Sequence, residues 1–267
     1  MKTTRNLGSR PLFVFLMGLA ALLVAPVADS ASLPETINKI KPSVVGVGTY
    51  QATRTPPAEL RGTGFAVGDG RYVLTNAHVL PDAVDGLARE YVAVFLGGES
   101  RAEVIPAKAV AIDRDSDLAA LEMTGHVIPA LRLGDSKTVQ EGQPVAFTGF
   151  PIGAVLGLHP VTHTGIVSAI TPIVTPVTSA KALTATLIRR MKKPYQVFQL
   201  DATAYPGNSG SPVFDPASGD VIGVINKVFV QGSKETLLEK PSGITYAIPI
   251  EFANKLLDEK GLLDRSR

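Results

Sequence analysis

The sequence predicts an all-β chain arranged as barrels or sandwiches. Short β-rich pieces recur between about residues 44 and 248, separated by Gly, Pro and Asp turn signals. Their regular spacing lacks the long helical patterns that alternate with strands in βαβ units. A composition of 45% hydrophobic and 19% charged residues is that of a globular domain rather than a disordered chain.

Residues 1–30 read as a signal peptide, outside the fold. Lys2, Arg5 and Arg10 form a basic n-region, Leu12 to Val24 an almost unbroken apolar run, and small residues lead to a cut near Ser30, with Ser32 as the alternative. The other reading of the same run is an uncleaved anchor, since its length approaches the ~20 apolar residues that span a bilayer. Without this segment the basic and acidic residues balance at 23 each, so composition gives no case for a nucleic-acid partner. The chain has no cysteine, hence no disulfide and no lipid on a leader thiol; burial and backbone pairing must hold an exported domain together.

In the remaining 31–267, Pro34 to Ile40 reads as a short amphipathic helix. Strands are expected at Val44 to Tyr50, Gly64 to Val67, Tyr72 to Thr75, Tyr91 to Leu96 and Ala107 to Ile112, then an apolar strand after Asp117. The polar stretch Thr138 to Gly142 reads as a joint. Beyond it strands are expected at Pro144 to Gly149, Gly165 to Ile170, Gln196 to Asp201, Pro212 to Phe214, Val221 to Val230 and Thr245 to Ile248. Glu251 to Lys260, with Phe252, Leu256 and Leu257 on one face, predicts a C-terminal helix. Residues 172–196 are irregular, and Arg189-Arg190-Met191-Lys192-Lys193 reads as a solvated loop.

Three segments carry candidate chemistry. In Tyr205-Pro206-Gly207-Asn208-Ser209-Gly210-Ser211-Pro212 a serine stands between glycines after a Pro-Gly turn, a loop able to aim backbone N–H groups beside a hydroxyl. Val73-Leu74-Thr75-Asn76-Ala77-His78 places a histidine at a strand end, where its near-neutral pKa suits a general base. Asp113, Asp115 and Asp117 precede an apolar strand; the first two suit a turn, and Asp117 can point inward to orient the histidine. Each feature alone has a bland reading, as a surface turn, a structural histidine or a strand cap. The order His78, Asp117, Ser209 on a β-rich pattern makes the three mutually supporting.

These residues resemble those of trypsin-like serine peptidases, and among them the bacterial HtrA/Deg group. The matching pieces are Arg61-Gly62-Thr63-Gly64-Phe65-Ala66-Val67, Thr75-Asn76-Ala77-His78-Val79, Ser116-Asp117-Leu118-Ala119, Leu133-Gly134-Asp135-Ser136, Gly165-Ile166-Val167-Ser168-Ala169, Pro206-Gly207-Asn208-Ser209-Gly210 and Tyr246-Ala247-Ile248-Pro249. The resemblance implies two six-stranded antiparallel β-barrels, about 43–136 and 137–250, with a short C-terminal helix. It also implies acyl transfer by Ser209, with His78 as base, Asp117 as orienter, and the N–H groups of Gly207 and Ser209 as an oxyanion hole. Thr203 falls at the base of the primary pocket and Asn226, Lys227 and Val228 at its wall and pairing edge; for Thr203, strand packing is the equal alternative. With no acid at 203, small or medium apolar side chains are expected there rather than Lys or Arg. Protein or peptide substrates, no cofactor, no metal, and periplasmic or secreted localisation follow, and a homo-oligomer stays open. The rival reading is a catalytically silent or resting scaffold that binds proteins.

Three departures qualify the resemblance. Asn208 stands where digestive trypsins carry an aspartate paired with a new N-terminus, so activation by N-terminal cleavage is not expected. Ser211 replaces a usual second glycine. The chain ends soon after the C-terminal helix, which predicts no PDZ domain. His126, His159 and His163 read as structural, because Pro160 forbids the helix that would align 159 with 163. Gly207-x-Ser209-x-Ser211 fails the α/β-hydrolase pattern.

Overall fold

Side chains alternate across a strand, so a strand covered on both faces feeds two cores. In Leu118–Met123, Leu118 and Ala120 join one buried cluster while Leu121 and Met123 join another. In Pro144–Gly149, Ala146 joins the first of these, and Val145 and Phe147 join a third. The three clusters are the interiors of two barrels and the seam between them. The computed structural model describes residues 31–97, 102–151, 158–173, 194–226 and 243–263.

The first barrel contains β1 (Val44–Tyr50), β2 (Ala58–Val67), β3 (Tyr72–Asn76), β4 (Tyr91–Leu96), β5 (Glu103–Asp113) and β6 (Leu118–Met123). The second contains β7 (Pro144–Gly149), β8 (Val161–Pro172), β9 (Gln196–Asp201), β10 (Pro212–Phe214), β11 (Val221–Asn226) and β12 (Ile244–Pro249). Both close, in the orders β1-β2-β3-β6-β5-β4 and β7-β8-β9-β12-β11-β10, so one topology is used twice and neither sheet has a free edge. The two six-stranded barrels expected from the resemblance are therefore present, and every described strand pair is antiparallel.

Helix α1 (Leu33–Ile40) starts at a capping box in which Ser32 N donates to the Glu35 carboxylate at 2.9 Å. Helix α2 (Ile250–Glu259) buries Ile250, Ala253, Leu256 and Leu257 in the seam, against Phe65, Leu118, Phe150 and Phe214 among others. Several strands exceed their expected bounds. Charges at Glu59 and Arg61 mask the start of β2, yet its first residues pair with the end of β1 and alternate half-buried with exposed. β8 likewise begins at Val161, because Val161 to Gly165 pair with β7 across their full length. The expected extension of β11 to Val230 lies outside the described residues beyond Asn226.

Candidate active site

The first barrel supplies an acid–base pair. β3 ends at Asn76, and Ala77–Val79 make one 3-10 turn that carries His78 out of the sheet. β6 pairs with β3 (Asn76 opposite Leu118), which sets Asp117 beside that turn. Asp117 has φ 59°, in the left-handed region that Asp enters more readily than most side chains. Such a conformation costs about 1–3 kcal/mol and persists where surrounding bonds hold it. Here they do. The Asp117 carbonyl accepts from Ala77 N and from Asn76 Nδ2, each at 3.1 Å. Its carboxylate accepts from His78 N at 2.9 Å through Oδ1 and lies 2.7 Å from His78 Nδ1 through Oδ2. A carboxylate is an acceptor, so this contact assigns the proton to Nδ1 and leaves the lone pair on Nε2. Asp117 is 6% exposed, whereas about a third of the His78 side chain is open to solvent, with 34% exposure. Asp113 serves the turn as expected, accepting from Asp115 N and Ser116 Oγ.

The second barrel supplies the serine loop, which runs from the end of β9 to β10. Thr245 Oγ1 donates to Ala202 O at 2.6 Å and accepts from Ala204 N at 3.1 Å, bracketing Thr203, which is half-buried and lies past the strand end. Asn208 N donates to Tyr205 O at 3.0 Å, closing a turn around Gly207, whose φ is 102°. Ser209 is 6% exposed; its carbonyl accepts from Thr63 N of β2 at 2.8 Å. Gly210, φ 87°, packs so closely that a Cβ would overlap Thr63 O, which makes glycine obligatory there. Ser211, in place of the usual glycine, fits because it faces another: a Cβ on Gly149 would collide with Ser211 Oγ. Within the described residues the His78 ring bonds to Asp117 and not to the Ser209 hydroxyl. Hydrogen bonds of this kind commonly tighten only when substrate is bound.

Asn226, expected at the pocket's wall and pairing edge, is completely buried, and its Nδ2 donates to Asp117 Oδ2 at 2.8 Å. Its side chain supports the carboxylate from the second barrel. Lys227 and Val228 lie outside the described residues. His163, expected to be structural, stacks on Phe147 with centroids 4.9 Å apart and lies 6.0 Å from the Tyr205 ring. Burial pushes its pKa below the ordinary histidine value, which favours the neutral ring. A cavity of about 340 Å³, lined among others by Lys41, Leu96, Phe150 and His159, includes neither His78 nor Ser209.

Residues 62–224 match the family of trypsin-like peptidase domains. The chain belongs to that family. Two bacterial proteins, each named "Probable periplasmic serine endoprotease DegP-like", show which trypsin-like branch it is similar to. The one from Halomonas elongata is 34% identical over 198 residues, 74% of this chain and 34% of that protein. The one from Pseudomonas fluorescens is 33% identical over 200 residues, 75% of this chain and 35% of that protein. The chain thus spans about a third of the length of these relatives. Among solved structures, an HtrA-type protease AlgW with a decapeptide aligns at TM-score 0.61 and 22% identity, covering 86% of this chain and 67% of the other, which shows a shared fold. The resemblance to the HtrA/Deg group is borne out by these similarities.

Sequence reasoning did not single out Thr63, Asn76, Asn226 or Thr245 for the roles their side chains take. The available signal was a hydroxyl between two glycines, Gly62-Thr63-Gly64, inside a segment already recognised as family-like.

Proposed function

We propose that the protein is an exported serine endopeptidase that cleaves unfolded or exposed protein segments. The observation that carries this reading is the His78–Asp117 pair, held by two bonds at 2.7 and 2.9 Å in the same barrel whose Thr63 grips the serine loop. Ser209 Oγ attacks the peptide carbonyl while His78 Nε2 takes its proton, then returns it to the leaving amine. Asp117 holds the tautomer and stabilises the imidazolium. Backbone N–H groups of Gly207 and Ser209 receive the oxyanion, an effect of about 3 kcal/mol per donor. Water then repeats the cycle in reverse and releases the acid product. Thr203, bracketed by Thr245, forms the pocket base and favours small or medium apolar side chains. Residues 1–30 direct export, to the periplasm or outside the cell.

The test is to expose residues 31–267 and Ser209→Ala to a fluorophosphonate probe, with casein cleavage measured in parallel. Labelling and cleavage by the wild type alone support the triad. Equal labelling of both proteins, or no labelling of a folded wild type under any condition, would leave the silent-scaffold reading in its place. A peptide-library profile dominated by cleavage after Lys or Arg would remove the apolar-pocket assignment.

A further inference from the structure

Among the described residues, the Gly207 and Ser209 carbonyls of the serine loop take no bond from their own barrel. Gly207 follows a proline and takes a positive φ of 102°. Both amide atoms of Asn208 are buried and have no hydrogen-bond partner among the described residues. An asparagine so placed does not anchor its loop through its side chain. Although Ile225 of the second barrel holds Gly210 and Ser211 through backbone bonds at 2.9 Å, the carbonyls of Gly207 and Ser209 are held from the first barrel.

Thr63 of β2 holds both. Its backbone N–H donates to Ser209 O at 2.8 Å and its hydroxyl donates to Gly207 O at 2.7 Å. The direction of the second bond is fixed by a third: Phe150 N, just beyond β7, donates to the same hydroxyl at 3.0 Å. A hydroxyl has one proton, and with Phe150 supplying a donor, that proton turns to Gly207. The backbone of Thr63 is secured in turn, because Thr75 Oγ1 donates to Thr63 O at 2.7 Å. Thr63 is completely buried, so it touches no substrate. It grips the carbonyls of the two residues whose N–H groups are assigned to the oxyanion.

We propose that Thr63 is a positioning residue for the oxyanion-binding loop, its hydroxyl fixing the peptide plane after Gly207 so that the loop is preorganised for the transition state. This rests on the serine-endopeptidase reading above. Preorganised donors act on the tetrahedral state far more than on bound substrate, so the loss on removing the hydroxyl falls on kcat.

The experiment compares the wild-type protein with Thr63→Val, which keeps shape and removes the hydroxyl, and with Thr63→Ser, which restores it. Valine is expected to lower kcat by about tenfold or more, the scale of a buried carbonyl losing its donor, with KM within about twofold. Affinity for a peptide boronate, whose adduct with Ser209 is tetrahedral, should fall in parallel with kcat. Serine should return both to within about threefold of wild type. If valine does not fold, Thr63→Cys, of similar size and a much poorer donor, carries the same comparison. Full kcat in a folded valine or cysteine variant, a change confined to KM, or no rescue by serine would overturn the role of Thr63 alone. A folded wild type that neither labels nor cleaves would remove the enzymatic reading, and this role with it.

Discussion

The two barrels share one topology but hold their halves of the site differently. In the first, His78 and Asp117 lie just past and just before the paired strands β3 and β6, and Asp117 accepts four bonds from Asn76, Ala77 and His78 of the same barrel beside the one from Asn226. In the second, the serine loop takes two of its key bonds from Thr63, a residue of the other barrel, and buries an asparagine amide that has no partner among the described residues. The base is built in where strand pairing dictates it, while the nucleophile depends on how the barrels dock. Activity should therefore respond to the seam on the serine side and to local residues on the base side.

The sharpest break in that contrast is at the reacting atom. Ser209→Ala is expected to reduce kcat by about 10⁵–10⁶-fold and to abolish fluorophosphonate labelling, while thermal unfolding stays close to wild type. Asp117→Asn addresses the base side: the amide presents a donor where His78 needs an acceptor, and steady-state kinetics should show a loss of about 10⁴-fold in kcat. The seam comes next. Phe214→Ala, in the cluster shared by both barrels, should lower stability in denaturant by about 3–5 kcal/mol. Activity lost before global unfolding in that variant would locate the damage on the docking-dependent serine side.

Asn226→Ala removes the bond that its Nδ2 donates from the second barrel to Asp117, a charge-assisted bond worth about 1.5–3 kcal/mol. It should lower kcat by roughly tenfold or more, and an unchanged kcat would make the acid–base pair wholly a property of the first barrel. The smallest effect concerns pH. His163 is held neutral, its folded pKa below its unfolded value, so the stability it contributes is present above the unfolded pKa and is lost as pH falls below it. In His163→Gln, denaturation curves compared between neutral and mildly acidic pH should show a weaker decline than wild type; an equal decline would assign the acid sensitivity elsewhere.

Much of this arrangement is legible in the sequence. Strand positions follow from short apolar runs and turn residues, and the three site segments are local motifs, legible because each chemistry needs its neighbours within a few residues. Asn226 could not be read this way. Its partner Asp117 is 109 positions distant, and only barrel docking brings the amide to the carboxylate. The bond from Thr63 to Gly207 spans 144 positions for the same reason. Glu59 and Arg61 obscured the start of β2 because one face of that hairpin arm is solvated, which a pattern sought for burial does not detect.

The seam also sets an order of assembly. Its cluster gathers Ile40 from the start of the fold and Leu257 from its last helix, so it is complete only when nearly the whole domain is present. During synthesis or export the first barrel emerges early and can pair its own strands, whereas the contact that steadies the serine loop waits for chain that arrives later. On the reading proposed above, a partly emerged chain has its base but no competent nucleophile. On that reading, chain connectivity by itself defers cleavage to the finished molecule.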